Sequence, residues 1–124
     1  MTIGDFRSAN LNYKGWLETV KESSEVTINY PANNQTFLTG LGKSKKEITV
    51  SGSAKSGQKG KILVVVRSDR DYPQALGKVP KSGKWSFTGC TLGGVDHQIY
   101  AVVVDKDDKP IVRSAIINIR LERG

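Results

Sequence analysis

Two side chains in this 124-residue sequence could act as a catalytic nucleophile or base: the only histidine, His97, and the only cysteine, Cys90. Catalysis by either one would need a partner acid or base within about 3 Å. No serine, cysteine or acidic residue stands at a recognisable catalytic spacing from His97. Cys90 falls in a glycine-containing stretch that is typical of a turn after a strand. We therefore predict a non-enzymatic protein without a cofactor, and keep a small hydrolase using His97 or Cys90 as a second alternative.

An acidic turn near the C-terminus could bind a metal ion. Asp105, Asp107 and Asp108 could supply oxygen ligands to calcium. The spacing lacks the glycine and the distant glutamate of an EF-hand, and Lys106 and Lys109 stand among the carboxylates. A solvated hairpin turn without a metal is therefore the preferred interpretation, and calcium binding stays open. The single cysteine excludes an internal disulfide and a multi-cysteine zinc site.

Positive charge is the third feature that could support a function, because the net charge is +7. Residues 1–24 are neutral overall, so the excess lies in the remainder. If successive strands run antiparallel, the loops at 54–61, 78–84 and 105–110 share one end of the fold. We call the lysines of these loops the lysine-rich end: Lys55, Lys59, Lys61, Lys78, Lys81, Lys84, Lys106 and Lys109.

The lysine-rich end suggests an anionic partner such as nucleic acid, an acidic glycan or lipid headgroups. A second group, Lys43, Lys45 and Lys46, is expected at the opposite end. However, the lysines are not interleaved with aromatic side chains that would stack on bases or with arginines that would bind phosphate in bidentate fashion. Binding of an anionic polymer is therefore the alternative function, and lysines that only keep the loops hydrated explain the pattern equally well.

The elements that would position these residues are short strands. Seven segments alternate apolar and polar residues or are apolar throughout, and Gly-, Pro- and Asp-rich links separate them. The segments are 25–31, 47–54, 61–68, 74–79, 84–88, 97–105 and 111–121. This pattern leaves little room for crossover helices and predicts an all-β, antiparallel sandwich over residues 25–124. Residues 1–24 are expected to form an N-terminal extension, in which Leu11, Trp16, Leu17 and Val20 recur at helical spacing and predict a short helix.

Two of these strands are apolar on both faces, although a sandwich strand normally buries only one. The residues that would point away from the sandwich core are Leu63, Val65, Tyr100, Val102 and Val104. We predict that this outer face is an interface. The N-terminal extension, through Leu11, Trp16 and Leu17, is the preferred cover, and a second protein chain is the alternative.

Three stretches resemble the bacterial immunoglobulin-like, or Big-type, domains that are repeated in surface and adhesion proteins. They are ITVSGSA (48–54), SGKWSF (82–87) and IYAVVVD (99–105). The resemblance covers roughly residues 25–121. It implies an immunoglobulin-like sandwich with Trp85 packed in its core and no catalytic residues. It also implies a role as a spacer, an adhesion module or a ligand-binding accessory.

Together these features predict a non-catalytic interaction or structural module. Its expected partner is another protein or the remainder of a longer polypeptide, and the chain itself would be a monomer or weak dimer. A composition of 37% hydrophobic and 25% charged residues, without a long apolar run, argues against a disordered chain and against a membrane span. The N-terminal residues lack the pattern of a secretory signal, which indicates the cytoplasm unless the sequence belongs to an exported protein.

Overall fold

The computed structural model of the chain describes residues 20–40, 45–55, 60–68, 71–107 and 109–123. These residues form two packed β-sheets, which confirms the predicted all-β sandwich. The helix expected within the N-terminal extension concerns residues that lie mostly outside the described ranges. Within those ranges, no helix is both long and apolar enough to cross a membrane.

Within the described ranges, ten strands make up the two sheets. They are β1 (Lys21–Glu22), β2 (Val26–Tyr30), β3 (Gln35–Thr39), β4 (Lys46–Ala54), β5 (Lys61–Arg67), β6 (Asp71–Lys78), β7 (Lys84–Leu92), β8 (Asp96–Val104), β9 (Pro110–Arg113) and β10 (Ile117–Arg123). The smaller sheet has the order β2-β4-β7 and is antiparallel. All seven predicted segments are present as strands, whereas β1 and β3 were not predicted.

Strand β8 is the centre of the larger sheet. It pairs antiparallel with β5 on one side and with β9 and β10 on the other. Strand β6 follows β5, while β1 and β3 lie parallel beside β9 and β10. Ser114 lies in the break between β9 and β10, where its hydroxyl accepts a hydrogen bond from the Ala101 amide at 2.9 Å. The two segments therefore act as one interrupted strand along β8.

The main core lies between the two sheets. Trp85 is 3% exposed and packs there with the inward side chains of β8, Ile99, Ala101 and Val103. Trp85 and Phe87 both contribute, as the alternation of β7 predicts, and their ring centroids are 5.9 Å apart. Because successive strand residues point to opposite faces, the even-numbered residues of β8 must be buried elsewhere.

Those residues form a second cluster on the outer face of the larger sheet. Leu63, Val65, Tyr100, Val102 and Val104 are all fully buried within the single chain. Val20 is buried with them, and Leu76 and Ile116 pack at the margin. We call this group the outer-face cluster. The outward-facing positions of β5 and β8 are thus covered by the same chain, while Leu11, Trp16 and Leu17 lie outside the described residues.

Strand β7 is longer than predicted because it contains a bulge. Its register with β4 shifts between Ile48 and Val50, so that two residues, Thr88 and Gly89, are accommodated opposite one. Gly89 has a φ of 74°, a conformation that glycine adopts without strain. The bulge brings Cys90 back to the buried face. Cys90 therefore lies inside a strand, and its assignment to a turn was wrong.

Candidate functional site

Three loops meet at one end of the sandwich. The Ala54 amide donates a hydrogen bond to the Gly83 carbonyl at 2.6 Å, which joins the β4–β5 loop to the β6–β7 loop. Gly60 lies against the Val104 carbonyl so closely that a side chain there would overlap it. The loop after β8 therefore abuts the β4–β5 loop as well. This is the end at which the sequence places the lysines.

Most side chains of the lysine-rich end face solvent. Lys61 and Lys78 are cross-strand neighbours at the ends of β5 and β6, and Lys61 is also opposite Val104. Lys59 lies outside the described residues. The exposed members are Lys55, Lys78, Lys81, Lys84, Lys106 and Lys109, and none of them forms an ion pair in the part of the chain that the structure describes. The result is a solvent-exposed, lysine-rich surface.

The acidic turn beside this surface is organised by its own main chain. Asp105 Oδ1 accepts hydrogen bonds from the amides of Asp107 at 2.8 Å and Lys109 at 2.9 Å. The Asp105 amide donates to the Lys109 carbonyl at 2.9 Å, which closes the hairpin. Asp108 lies outside the described residues, and the described ones contain no group of three potential metal ligands. These hydrogen bonds explain the presence of Asp105 and Asp107 as residues of a hairpin turn.

His97 lies at the opposite end, at the start of β8. Its Nε2 atom accepts hydrogen bonds from the amides of Gly93 at 3.2 Å and Gly94 at 2.9 Å. Accepting them requires Nε2 to be unprotonated, so the neutral ring carries its proton on Nδ1. Burial lowers the pKa of His97, an effect that the neighbouring Asp96 carboxylate partly opposes. His97 is therefore engaged in fixing the β7–β8 connection.

Cys90 is fully buried in the main core. Burial raises the pKa of its thiol to about 11, because the charged thiolate would lose its hydration there. The thiolate is the nucleophilic form of cysteine, so this environment suppresses its reactivity. Of the two side chains considered for catalysis, Cys90 is thus a buried core thiol, and His97 has its acceptor nitrogen bonded to two main-chain amides.

Two clefts flank His97. The larger has a volume of about 460 Å³ and includes Tyr72, Gln74 and Thr91 in its walls. Gln74 Oε1 accepts a hydrogen bond from the Thr91 amide at 2.9 Å, which connects β6 in one sheet to β7 in the other. The smaller cleft measures about 330 Å³ and is lined by residues such as Asn34 and Asn118. Both are open, and hydrogen bonds within the chain connect residues of their walls, such as Gln74 with Thr91 and Asn34 with Asn118.

A buried acid beside the outer-face cluster was not predicted from the sequence. The Asp71 side chain is fully buried, and its Oδ1 lies 3.9 Å from Arg67 Nη1. Burial raises the pKa of Asp71, while the neighbouring Tyr100 hydroxyl and the Arg67 guanidinium lower it in part. Burial and the Asp71 carboxyl raise the pKa of Tyr100. The cross-strand register places Asp71 opposite Arg67 and Tyr100 opposite Val65. This register, and not a spacing in the sequence, brings the three polar groups together.

Comparison with known proteins supports the fold. A solved structure of the Clostridium thermocellum CbhA fibronectin(III)-like modules is similar to this chain, with a TM-score of 0.50 and 12% sequence identity. The match covers 80% of this chain and 98% of that one. No protein-family model matches the chain, and no curated protein matches it significantly. The narrower Big-type assignment thus stays a resemblance, and the chain has the fold of an immunoglobulin-like or fibronectin type III-like β-sandwich.

Proposed function

We propose that this chain is a non-catalytic structural or interaction module of the bacterial immunoglobulin-like kind, acting as part of a longer polypeptide or with another protein. The observation that carries the proposal is the state of His97 and Cys90. Both are buried, and the imidazole acceptor atom is already used by two main-chain amides. The likeness to fibronectin(III)-like modules supports the fold on which the proposal rests.

A structural role for His97 predicts a specific pH dependence of stability. Because the pKa of His97 is lowered in the folded state, the unfolded chain binds more protons below pH about 6.5. The stability that neutral His97 contributes is therefore present above pH 6.5 and lost as pH falls through the folded pKa. His97→Gln removes the only histidine, so the difference in free energy of unfolding between wild type and His97→Gln should shrink between pH 7.5 and pH 5. Urea unfolding across this range measures it.

Taking the difference between the two proteins matters because Asp71 titrates with the opposite sign. Its raised pKa adds stability as pH falls, in both proteins alike. A difference that does not vary with pH would contradict the structural role of His97. Ester, amide and glycoside substrates incubated with wild type and His97→Gln provide a second readout. Turnover by wild type that the substitution abolishes would refute the non-catalytic proposal.

As a second candidate, we propose that the lysine-rich end binds an anionic polymer. Three loops converge at this end of the fold, and their exposed lysines form no ion pair within the described ranges. Both observations favour this role. Exposed lysines attract polyanions by displacing the counterions of the polymer, and this does not require base-specific contacts. Such binding would make the module an accessory that holds a polymer close to the rest of its polypeptide.

Charge reversal at this end should weaken retention on heparin. The triple variant Lys55→Glu, Lys81→Glu and Lys84→Glu changes three exposed lysines at the converging loops. We expect wild type to elute from a heparin column at clearly higher salt than this variant. On DNA, the plot of the logarithm of the binding constant against the logarithm of the salt concentration should become shallower. Its slope should lose about 0.9 in magnitude for each phosphate that the variant no longer neutralises.

A matched control reverses Lys21, Lys45 and Lys46, which lie outside the lysine-rich end. Both triple variants lower the net charge equally, so total charge alone would weaken retention of both to the same extent. We expect the control to retain most of the wild-type binding. Equal elution of the two variants would rule out a localised binding surface.

A further inference from the structure

Strand β3 has one free edge. It pairs parallel with β10 from Gln35↔Ile119 to Thr39↔Arg123, and among the described residues it pairs with no strand on its other side. Leu38 is 60% exposed on this strand. Tyr30 is 43% exposed and contacts Phe37 edge to face, with ring centroids 6.4 Å apart. The free edge is therefore bordered by exposed apolar surface.

The other sheet edges among the described residues carry features that hinder pairing with a further strand, and the edge strand β1 consists of only two residues, both charged. Strand β6 contains Pro73 and a register shift opposite Val64 and Val65. Strand β7 has the Gly89 bulge, and β2 has a register shift that precedes Pro31. Bulges, prolines and charged residues are the common means of blocking an edge. Strand β3, with the sequence Gln-Thr-Phe-Leu-Thr, has none of them.

The hydrogen-bond pattern shows which main-chain groups face the free edge. The Asn34 amide donates to the Asn118 carbonyl of the β10 side at 2.6 Å. The Asn118 carbonyl thus faces β3, whereas the Leu121 amide donates to the Val95 carbonyl beside β8 at 2.8 Å, so the even-numbered residues of β10 direct their main-chain groups towards β3. In the parallel register that pairs Arg120 with Thr36, these groups bond to the amides of Phe37 and Thr39 and to the carbonyls of Gln35 and Phe37. The amides and carbonyls of Thr36 and Leu38 therefore point to the free edge.

We propose that two copies of this chain associate by antiparallel pairing of their β3 strands about a two-fold axis at Phe37. The main-chain groups of Thr36 in each copy would then exchange two hydrogen bonds with those of Leu38 in the second copy, and the two Phe37 residues would form the non-hydrogen-bonded pair at the axis. In this register, the buried side chains of one β3 strand lie on the same face as the buried side chains of the other. It places Leu38 of one copy opposite Thr36 of the other on the outward face. A two-fold interface of this kind is closed and self-complementary.

The charges beside the strand fit this register. Arg120 is the β10 neighbour of Thr36, and Glu122 is the neighbour of Leu38. Across the two-fold axis, Leu38 of one copy faces Thr36 of the second copy. The row of outward-facing side chains therefore runs from Glu122 of the first copy, through these two residues, to Arg120 of the second copy. The opposite charges of the two copies therefore share a row. A five-residue edge buries little area, so we expect a reversible dimer with a dissociation constant of about 0.1 to 1 mM.

Sedimentation velocity of the full chain, from about 10 µM to about 1 mM, tests the proposal over the expected affinity range. The weight-average mass should rise with concentration. Leu38→Lys removes both outward contacts and should raise the dissociation constant about threefold or more. Ile111→Lys is the matched control, because Ile111 is an apolar residue of β9 with 45% exposure and the charge change is the same. It should leave association unchanged.

A compensating variant tests the register itself. In Thr36→Glu with Leu38→Lys, each lysine would face the glutamate of the second copy, while Arg120 and Glu122 remain complementary neighbours within each chain. Two such cross-strand pairs should lower the dissociation constant about two- to thirtyfold relative to Leu38→Lys alone. A wild type that stays monomeric at the highest concentration would overturn the proposal. Association that Leu38→Lys and Ile111→Lys weaken equally, or that the double variant fails to restore, would also overturn it.

Discussion

Replacing Trp85 with alanine is expected to lower the free energy of unfolding by about 3–5 kcal/mol. The indole is 3% exposed and lies in the main core between the two sheets. Its loss leaves a large cavity because Gly52 and Phe87, which contact the ring, cannot close over it. Domains of this size have only about 5–15 kcal/mol of total stability, so the variant should unfold at much lower urea concentration.

A second substitution separates packing from polarity at the same position. Trp85 Nε1 is buried without a hydrogen-bond partner in the described part of the chain. Trp85→Phe keeps much of the ring and removes this unpaired donor, so it should cost clearly less than Trp85→Ala. Leu38→Ala, at a mostly exposed residue, should change stability by no more than about 0.5 kcal/mol. Similar losses for Trp85→Ala and Leu38→Ala would show that Trp85 is not a core residue.

The second large effect is expected from adding a single methyl group at Gly52. A Cβ atom at this position would overlap the Thr27 carbonyl of β2 and the indole of Trp85. Strand β4 pairs with neighbours on both sides, so it cannot move away from one without disturbing the other. Gly52→Ala should therefore cost about 1–3 kcal/mol, near the upper limit because one of the contacted atoms belongs to the main chain.

Gly93→Ala is the matched control for this substitution. No atom lies within 4 Å of the position that a Cβ at Gly93 would occupy. Its amide hydrogen bond to His97 does not involve the side chain. We expect a change within about 0.5 kcal/mol, measured by urea unfolding of both variants under the same conditions. Equal destabilisation by the two substitutions would mean that glycine is needed for conformational freedom rather than for space.

Much of the fold follows from the alternation of side chains. Ile48 and Val50 in β4, and Ile99, Ala101 and Val103 in β8, are buried on the face that the pattern predicts. The second apolar face of β5 and β8 predicts a further buried layer, and the outer-face cluster occupies that position. These elements were predictable because burial of one face of a strand imposes a period of two on the sequence.

Other elements break that period or lack it. The extra residue at the Gly89 bulge shifts the buried positions of β7 by one, so the alternation through Phe87 stops before Cys90 and Leu92. Strand β6 starts at Asp71 and contains Pro73, and both residues disfavour a strand in sequence-based prediction. Strand β3 buries only Phe37 and Thr39, which is too few to produce a pattern.

The candidate sites also divide into those that could be predicted from the sequence and those that could not. Proximity of the lysine loops follows from strand alternation alone, since every second connection of an antiparallel fold lies at the same end. In contrast, the role of His97 depends on main-chain amides of Gly93 and Gly94, and no side-chain pattern reports them. The burial of Asp71 depends on the register of β5 with β6. A sequence contains no direct signal for either arrangement.

The double-sided burial of β5 and β8 has a consequence for the chain before it is folded. The segments Ile62–Val66 and Ile99–Val104 combine high β-propensity with an absence of charge, which is the composition of segments that form intermolecular cross-β aggregates. Lys61 and Arg67 bracket the first segment, and Asp105 and Lys106 follow the second. Charged residues at such positions act as gatekeepers that oppose stacking of nascent or partly unfolded chains.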